Sequence, residues 1–172
     1  MTKAAEAFPA PQHNHAPCVS HALDRAQRAF DTQGLKLTEL RKRVFEEIAG
    51  SHHAVGAYDV LNRLAEKGSR LAPISVYRAI DALLVAGVIH RLESKNAFFA
   101  CHAPHTADRD QLILACERCG RVAEVPGEPV FEAIAAAAAE ARFIPKRTVA
   151  EVTGLCADCS AASEDSAHGK AV

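Results

Sequence analysis

The sequence predicts an α+β chain in two parts, a helical part closed by a β-hairpin and a smaller part in which strands flank one helix. Three observations carry this. Four segments of helical apolar period follow one another up to Gly87. Short β-type runs replace them immediately afterwards, from Val88 onward. Two C-x2-C pairs, Cys116 with Cys119 and Cys156 with Cys159, punctuate the second part. Helices followed by a hairpin are the plan of a winged helix-turn-helix. Paired C-x2-C turns in a small α+β unit point to closure by a metal.

The bulk properties agree with a globular chain. It has 172 residues, 49% hydrophobic and 24% charged, with a formal net charge of -1. No apolar run approaches the ~20 residues that span a bilayer. A basic stretch leading into an apolar core is missing from the N-terminus, so no secretory signal is expected and the cytoplasm is the expected compartment. A reducing compartment makes structural disulfides improbable and turns six cysteines toward metal ligation.

Residues 1–19 contain Pro9, Pro11 and Pro17 among small polar residues and are expected to form a flexible tail. His13, His15 and Cys18 lie there without an assigned role. Ser20 is the expected N-cap of a first helix bearing Leu23, Ala26 and Phe30 and stopped by Gly34. Thr38 caps a second, whose stripe is Leu40, Val44, Phe45 and Ile48, ended by Gly50. A third carries Tyr58, Val60, Leu61 and Leu64 to Gly68. The fourth begins at Pro73, a residue suited to a first turn, and carries Val76, Ile80, Leu83 and Leu84 to Gly87. The runs 88–92 and 97–100 around Ser94-Lys95-Asn96 make the wing.

Polar residues 102–110 read as a hinge. Runs 112–115 and 122–125 flank the first C-x2-C turn, and Pro126-Gly127 breaks them from an Ala-rich helix over 128–142, closed by Pro145. Residues 147–155 alternate into a last strand that leads to the second C-x2-C, and a polar tail follows from Ser160. The expected domains are therefore 20–101 and 111–160, with tails at 1–19 and 161–172. Charge divides at nearly the same place. Residues 24–95 hold 12 Lys+Arg and 9 Asp+Glu, whereas residues 96–172 hold 7 and 11. A mildly basic first part allows nucleic acid as a partner.

Three groups of residues carry chemistry. Cys116, Cys119, Cys156 and Cys159 form C-x2-C-x36-C-x2-C, which supplies four thiolates to a tetrahedral structural zinc at Zn–S distances of ~2.3 Å. A redox pair or an iron–sulfur cluster is the alternative. A looser set, His90, Cys101, His102, His105, Asp108, Asp110 and Glu124, gathers N, S and O donors around the wing, the hinge and the first strands beyond it. Taken singly these are ordinary residues; together they suit a second metal. Ser75, Tyr77 and Arg78 stand in the first turns of the fourth helix, the part of a helix-turn-helix that enters the major groove. Arg grips guanine or phosphate, Tyr packs on sugar or a thymine methyl, and Ser reaches phosphate.

The ordered combination Leu37-Thr38-Glu39-Leu40-Arg41, Ala57-Tyr58-Asp59-Val60-Leu61, Val76-Tyr77-Arg78-Ala79-Ile80 and Cys116-x-x-Cys119-Gly120 followed by Glu124 resembles the ferric uptake regulator family over residues 20–160. The resemblance implies a homodimeric, metal-dependent repressor of palindromic operator DNA, with a winged-helix domain and an α/β dimerisation domain. It is most similar to the zinc-sensing branch. The stretch Asp108-Arg109-Asp110-Gln111 replaces the His-rich run of the iron and peroxide sensors, and Cys101 stands directly after the wing. A thiolate favours a softer metal than an all-N/O site does.

By this resemblance the regulatory zinc falls on His90, Cys101 and Glu124, with a histidine as fourth ligand. Arg109 occupies that position here, so His105 is the substitute, with His102, Asp108 or Asp110 as alternatives. DNA contacts fall on Arg41, Tyr58, Ser75, Tyr77 and Arg78, although the residues before Arg41 read Glu-Leu where the family has Pro-Gln. One structural and one regulatory zinc per chain, operator DNA and a second copy of the chain are the expected cofactors and partners. An iron or peroxide sensor of the same family, or a zinc-stapled interaction module, is the alternative. A zinc enzyme is not expected: neither H-E-x-x-H nor H-x-E with P-C-x-x-C occurs.

Overall fold

The structure, a computed structural model, describes Phe8, residues 15–101 and residues 111–168, with side chains over 19–101 and 111–162. His13, His102, His105, Asp108 and Asp110 lie outside the described residues, as do the side chains of His15 and Cys18. The described chain divides into two compact units, an N-terminal one of residues 15–101 and a C-terminal one of residues 111–168, with which Phe8 is grouped.

In the N-terminal unit, α1 (His15–Thr32) starts five residues before the expected cap, so Ser20 lies within the helix instead of capping it. Pro17 does not prevent this, because a first-turn residue has no intrahelical N–H partner to lose. Thr38 does cap α2 (Glu39–Ala49), its side-chain oxygen accepting from the Arg41 N–H at 3.4 Å. Helices α3 (Ala57–Glu66) and α4 (Pro73–Val85) complete the helical set, with Pro73 in the first turn of α4. Helices α1 to α4 surround one core, in which Phe30, Phe45, Ile48, Leu64, Ile80 and Leu83 are almost completely buried. Burying each such side chain contributes roughly 1.5–3 kcal/mol, and Ile80 and Leu83 anchor α4 in that core.

The wing strands β2 (Ile89–Leu92) and β3 (Ala97–Ala100) pair antiparallel, with Asn96 left-handed at φ 47° in the connection. A third strand, β1 (Val55–Gly56), adds to the other edge through Val55 opposite Phe98. Two residues are too short to show a period, and the burial of Val55 against the sheet is what makes them a strand.

In the C-terminal unit the sheet order is β5-β4-β6. Strands β4 (Gln111–Cys116) and β5 (Val122–Pro126) are antiparallel, and β6 (Ala150–Gly154) joins β4 in parallel. A parallel partner needs a crossover, and α5 (Glu128–Glu140) supplies it. Gly127 begins that crossover at a close approach: a Cβ there would lie 3.1 Å from both Leu112 Cβ and Phe131 Cε2. Strand β6 is shorter than the alternation suggested, because only 150–154 pair with β4. Beyond the second cysteine pair the expected polar tail is instead helical, as α6 (Ala157–His168). Ala157, Ala161, Ala162 and Ala167 favour that helix, and Asp158 complements the dipole at its start. Val130, Ile134, Phe143, Ile144, Val149, Val152 and Leu155 leave an apolar surface exposed on this unit.

Four helices end in the same hydrogen-bonded motif, in which the N–H two residues past the cap returns to the third carbonyl from the end. Gly34, Gly68 and Gly87 hold the left-handed position after α1, α3 and α4. After α5 the residue is Arg142, at φ 53°, with Phe143 N–H bonded to Ala138 O at 2.8 Å. This motif closes α5, rather than Pro145. An L side chain in that conformation is strained, so Arg142→Gly is expected to stabilise the C-terminal unit by about 1 kcal/mol. Thermal denaturation of wild type and variant measures this, and an unchanged or lowered Tm would contradict the strain.

Candidate metal centre and nucleic-acid interface

The parallel pairing of β4 and β6 brings the cysteines together. Both strands run toward the same end of the sheet, where Cys116 and Gly154 are register partners and Glu117 N–H donates to Gly154 O at 2.8 Å. Each strand then turns into a C-x2-C segment. The first closes as a tight loop, with Gly120 N–H on Cys116 O at 2.9 Å and Cys116 N–H on Arg121 O at 2.9 Å. Gly120 sits at φ 73°, where a side chain would be strained, so glycine directly after the second cysteine lets β5 leave this loop. The second pair opens α6, and Ser160 N–H on Cys156 O at 2.9 Å folds Cys159 back toward Cys156.

The four sulfurs lie within 4.8 Å of one another, with Cys119 Sγ and Cys156 Sγ 3.8 Å apart. A tetrahedron with ~2.3 Å Zn–S bonds has edges of about 3.8 Å. The donor set therefore fits one tetrahedral zinc. All four corners are thiolates, which leaves no open position for an activated water.

The thiols are unequal. Burial pushes Cys116 up, but backbone N–H groups, including Cys156 N–H at 3.4 Å, more than reverse this and bring it to about 6. Burial likewise raises Cys119, and hydrogen bonds from the Arg121 side chain and backbone and from Cys156 together lower the thiol overall. Cys159 is pushed up to about 12 by desolvation and by the sulfurs around it. Four thiolates cannot share this volume without a cation, and a divalent ion removes the conflict.

Arg121 was not singled out from the sequence. It is 5% exposed, and its Nε and Nη2 donate to Cys119 Sγ and Cys156 Sγ at 3.3 and 3.2 Å. Nη2 also pairs with Asp158 of α6. The available signal was a charged residue two positions after a candidate ligand cysteine, directly before β5.

The other expected ligands are divided between the units. In the N-terminal unit His90 lies on β2 opposite Phe99, its ring tilted against the phenyl with centroids 5.7 Å apart. Cys101 follows β3, is 5% exposed, and its N–H donates to Val88 O at 3.1 Å. Their ligand atoms lie within 4.8 Å of each other, so the wing itself brings an imidazole and a thiol together. Arg25 of α1 donates to the Cys101 carbonyl at 3.3 Å. Glu124 stands half-buried on β5 of the C-terminal unit, opposite Ile113.

Of the residues expected at DNA, Tyr58 and Tyr77 meet edge to face with centroids 6.4 Å apart and remain exposed. Arg78 is exposed one position further along α4, and Ser75 is half-buried. No side chain caps the N-terminus of α4, whose cap position is Ala72; Pro73 carries no N–H to satisfy, and the Ser75 N–H donates to Ala72 O at 2.9 Å. Arg41 is committed differently. Its guanidinium donates to Lys36 O at 2.6 Å and stands 5.7 Å from the Phe30 ring centroid, pinning the connection between α1 and α2.

A winged-helix unit followed by a small sheet unit whose strand ends bring four thiols together defines a winged-helix protein with a four-cysteine cluster in its second domain. The sequence profile of the ferric uptake regulator family matches residues 32–150. The zinc uptake regulation protein of Escherichia coli (strain K12) is 34% identical over 137 residues, 80% of each chain. The ferric uptake regulation protein of Legionella pneumophila is 28% identical over 138 residues, 80% of this chain and 99% of that one. Among solved structures, a zinc uptake regulator complexed with zinc and DNA aligns at TM-score 0.78 and 29% identity, covering 89% of this chain and 99% of that one. Holo XcZur aligns at TM-score 0.75 and 38% identity, covering 83% and 99%. The chain belongs to the ferric uptake regulator family.

Proposed function

We propose that this protein is a zinc-responsive transcriptional repressor that binds palindromic operator DNA as a metallated homodimer and controls zinc uptake genes. The observation that carries the choice of metal is the buried thiol of Cys101 beside His90 at the end of the wing. A thiolate–imidazole pair selects zinc over the harder ions that an N/O site would take. The similarity to zinc regulators, one of them in complex with zinc and DNA, supports the same reading.

In this scheme one zinc sits on Cys116, Cys119, Cys156 and Cys159 and is structural. A second, regulatory zinc is held by His90 and Cys101 from the wing, Glu124 from β5, and His105 from the hinge. The exposed apolar surface around Ile134, Phe143, Ile144 and Val152 is what a second copy covers, giving a dimer whose two α4 helices address half-sites of a near-palindrome. Tyr58, Ser75, Tyr77 and Arg78 then meet DNA, while Arg41 supports the domain through Lys36 and Phe30. The regulatory ion acts as corepressor by binding the DNA-competent arrangement more tightly than the open one. Moving a 1:99 population to 99:1 takes about 5.5 kcal/mol of preference. The protein has no enzymatic activity in this scheme and works in the cytoplasm. Among the described residues no helix is long and apolar enough to cross a membrane.

The test selects duplexes from random DNA with zinc-loaded protein, then measures binding by anisotropy with zinc, with iron(II) and with a chelator. Zinc-dependent binding is expected, and equal affinity under chelation, or binding driven by iron(II) alone, would contradict the proposal. Cys101→Ser is expected to remove the zinc dependence and leave a folded dimer by sedimentation; an unfolded variant would make Cys101 structural. Arg78→Ala is expected to weaken the selected duplex by about 1–3 kcal/mol with zinc content unchanged, and undiminished affinity would remove Arg78 from the interface.

A further inference from the structure

The four cysteines account for the first coordination sphere but not for the buried cation beside it. A guanidinium that is 5% exposed carries a desolvation penalty that only charged or strongly accepting neighbours offset. Arg121 has among its neighbours Cys119 Sγ at 3.3 Å, Cys156 Sγ at 3.2 Å and the Asp158 carboxylate. Its carbonyl accepts from Cys116 N–H at 2.9 Å, so this residue touches three of the four cysteine residues. Arg118 holds the fourth, donating to Cys159 O at 3.0 Å.

We propose that Arg121 is a positioning residue of the zinc site: its guanidinium donates N–H bonds to two ligating sulfurs, offsets the negative charge of the zinc tetrathiolate, and thereby sets how tightly the ion is held. The inference rests on the reading of the four cysteines as a zinc site. A divalent ion with four thiolates carries a net charge of -2, which is unfavourable in a buried setting. A fixed cation in N–H···S contact lowers that charge locally and directs a lone pair of each sulfur away from the metal. The planar fork of arginine suits this, because Nε and Nη2 reach separate sulfurs at once, whereas a lysine ammonium offers a single point charge. Asp158 keeps the fork in place. Its side chain is 62% exposed, so water screens its own charge while its bond to Nη2 orients the guanidinium. Hydrogen-bond partners of metal ligands are typically worth 10–100-fold in metal affinity.

The experiment measures zinc affinity at the four-cysteine site by chelator competition in the full-length chain. Arg121→Gln is expected to hold zinc 10–100-fold more weakly than wild type, and Arg121→Lys is expected to recover part of the loss. Far-UV circular dichroism of the zinc-loaded variants monitors the fold. Affinity in Arg121→Gln within threefold of wild type would overturn the proposal. So would an Arg121→Lys variant as weak as a folded Arg121→Gln, since packing and not charge would then be at work.

The wild-type chain loaded with cadmium-113 gives a second measurement that does not depend on any variant folding. A tetrathiolate cadmium shift with a scalar correlation to the Arg121 Nε–H through Cys119 sulfur is the expected result. A tetrathiolate shift without that correlation would overturn the role of Arg121 alone. Absence of a tetrathiolate signal would overturn the zinc reading on which it rests.

Discussion

The C-terminal unit depends on the convergence of two parallel strand ends on one set of four sulfurs. Among the described residues β4 is the only strand neighbour of β6, whose residues are half-buried or exposed from Ala150 to Gly154. Backbone ladder bonds of an edge strand do not by themselves hold a small domain together. In the proposed scheme a metal spanning Cys116 and Cys119 from β4 and its turn, and Cys156 and Cys159 from the segment after β6, would replace the missing burial with coordination. Metal binding in such a site is folding free energy, because no preformed site exists in the unfolded chain. The same ion would fix α6, whose first turn carries Cys159 and Asp158.

The N-terminal unit solves its problem differently. Its core is assembled from Phe30, Phe45, Ile48, Leu64, Ile80 and Leu83, large side chains almost free of solvent. That core fixes α4 with its uncapped N-terminus and with Tyr77 and Arg78 exposed, beside Tyr58 of α3. The wing serves two ends in the proposed scheme. Its register places His90 across from Phe99, and its end places Cys101 within reach of His90. A reading head and half of a sensing site are thus built from one hairpin and the helix before it.

Much of this was legible in the sequence because the relevant signals are local. Glycine at the helix ends, Thr38 before α2 and Pro73 at the start of α4 each act within a turn. The C-x2-C spacing marks the cysteine pairs, although their convergence depends on the parallel register of β4 with β6, a tertiary fact. What escaped notice was non-local or too short to show a pattern. Val55 becomes a strand only because Phe98 lies opposite, and α1 extends back past Ser20 to His15 because Pro17 is harmless in a first turn. Arg121 reads as a surface charge until the sulfurs of Cys119 and Cys156, the second 35 positions away, are brought to it. The unexpected commitment of Arg41 to Lys36 and Phe30 has the same origin, since it depends on how α1 packs on α2.

The central claim is that zinc on four cysteines holds β6 to the sheet while the winged-helix core stands without it. Amide hydrogen exchange of the full-length protein, zinc-loaded and zinc-stripped, tests this most directly. The account predicts that stripping removes protection from β6 and the start of α6 and leaves the slow amides of α2 and α4 unchanged. Equal protection of β6 with and without zinc, or loss of protection across both units together, would contradict it.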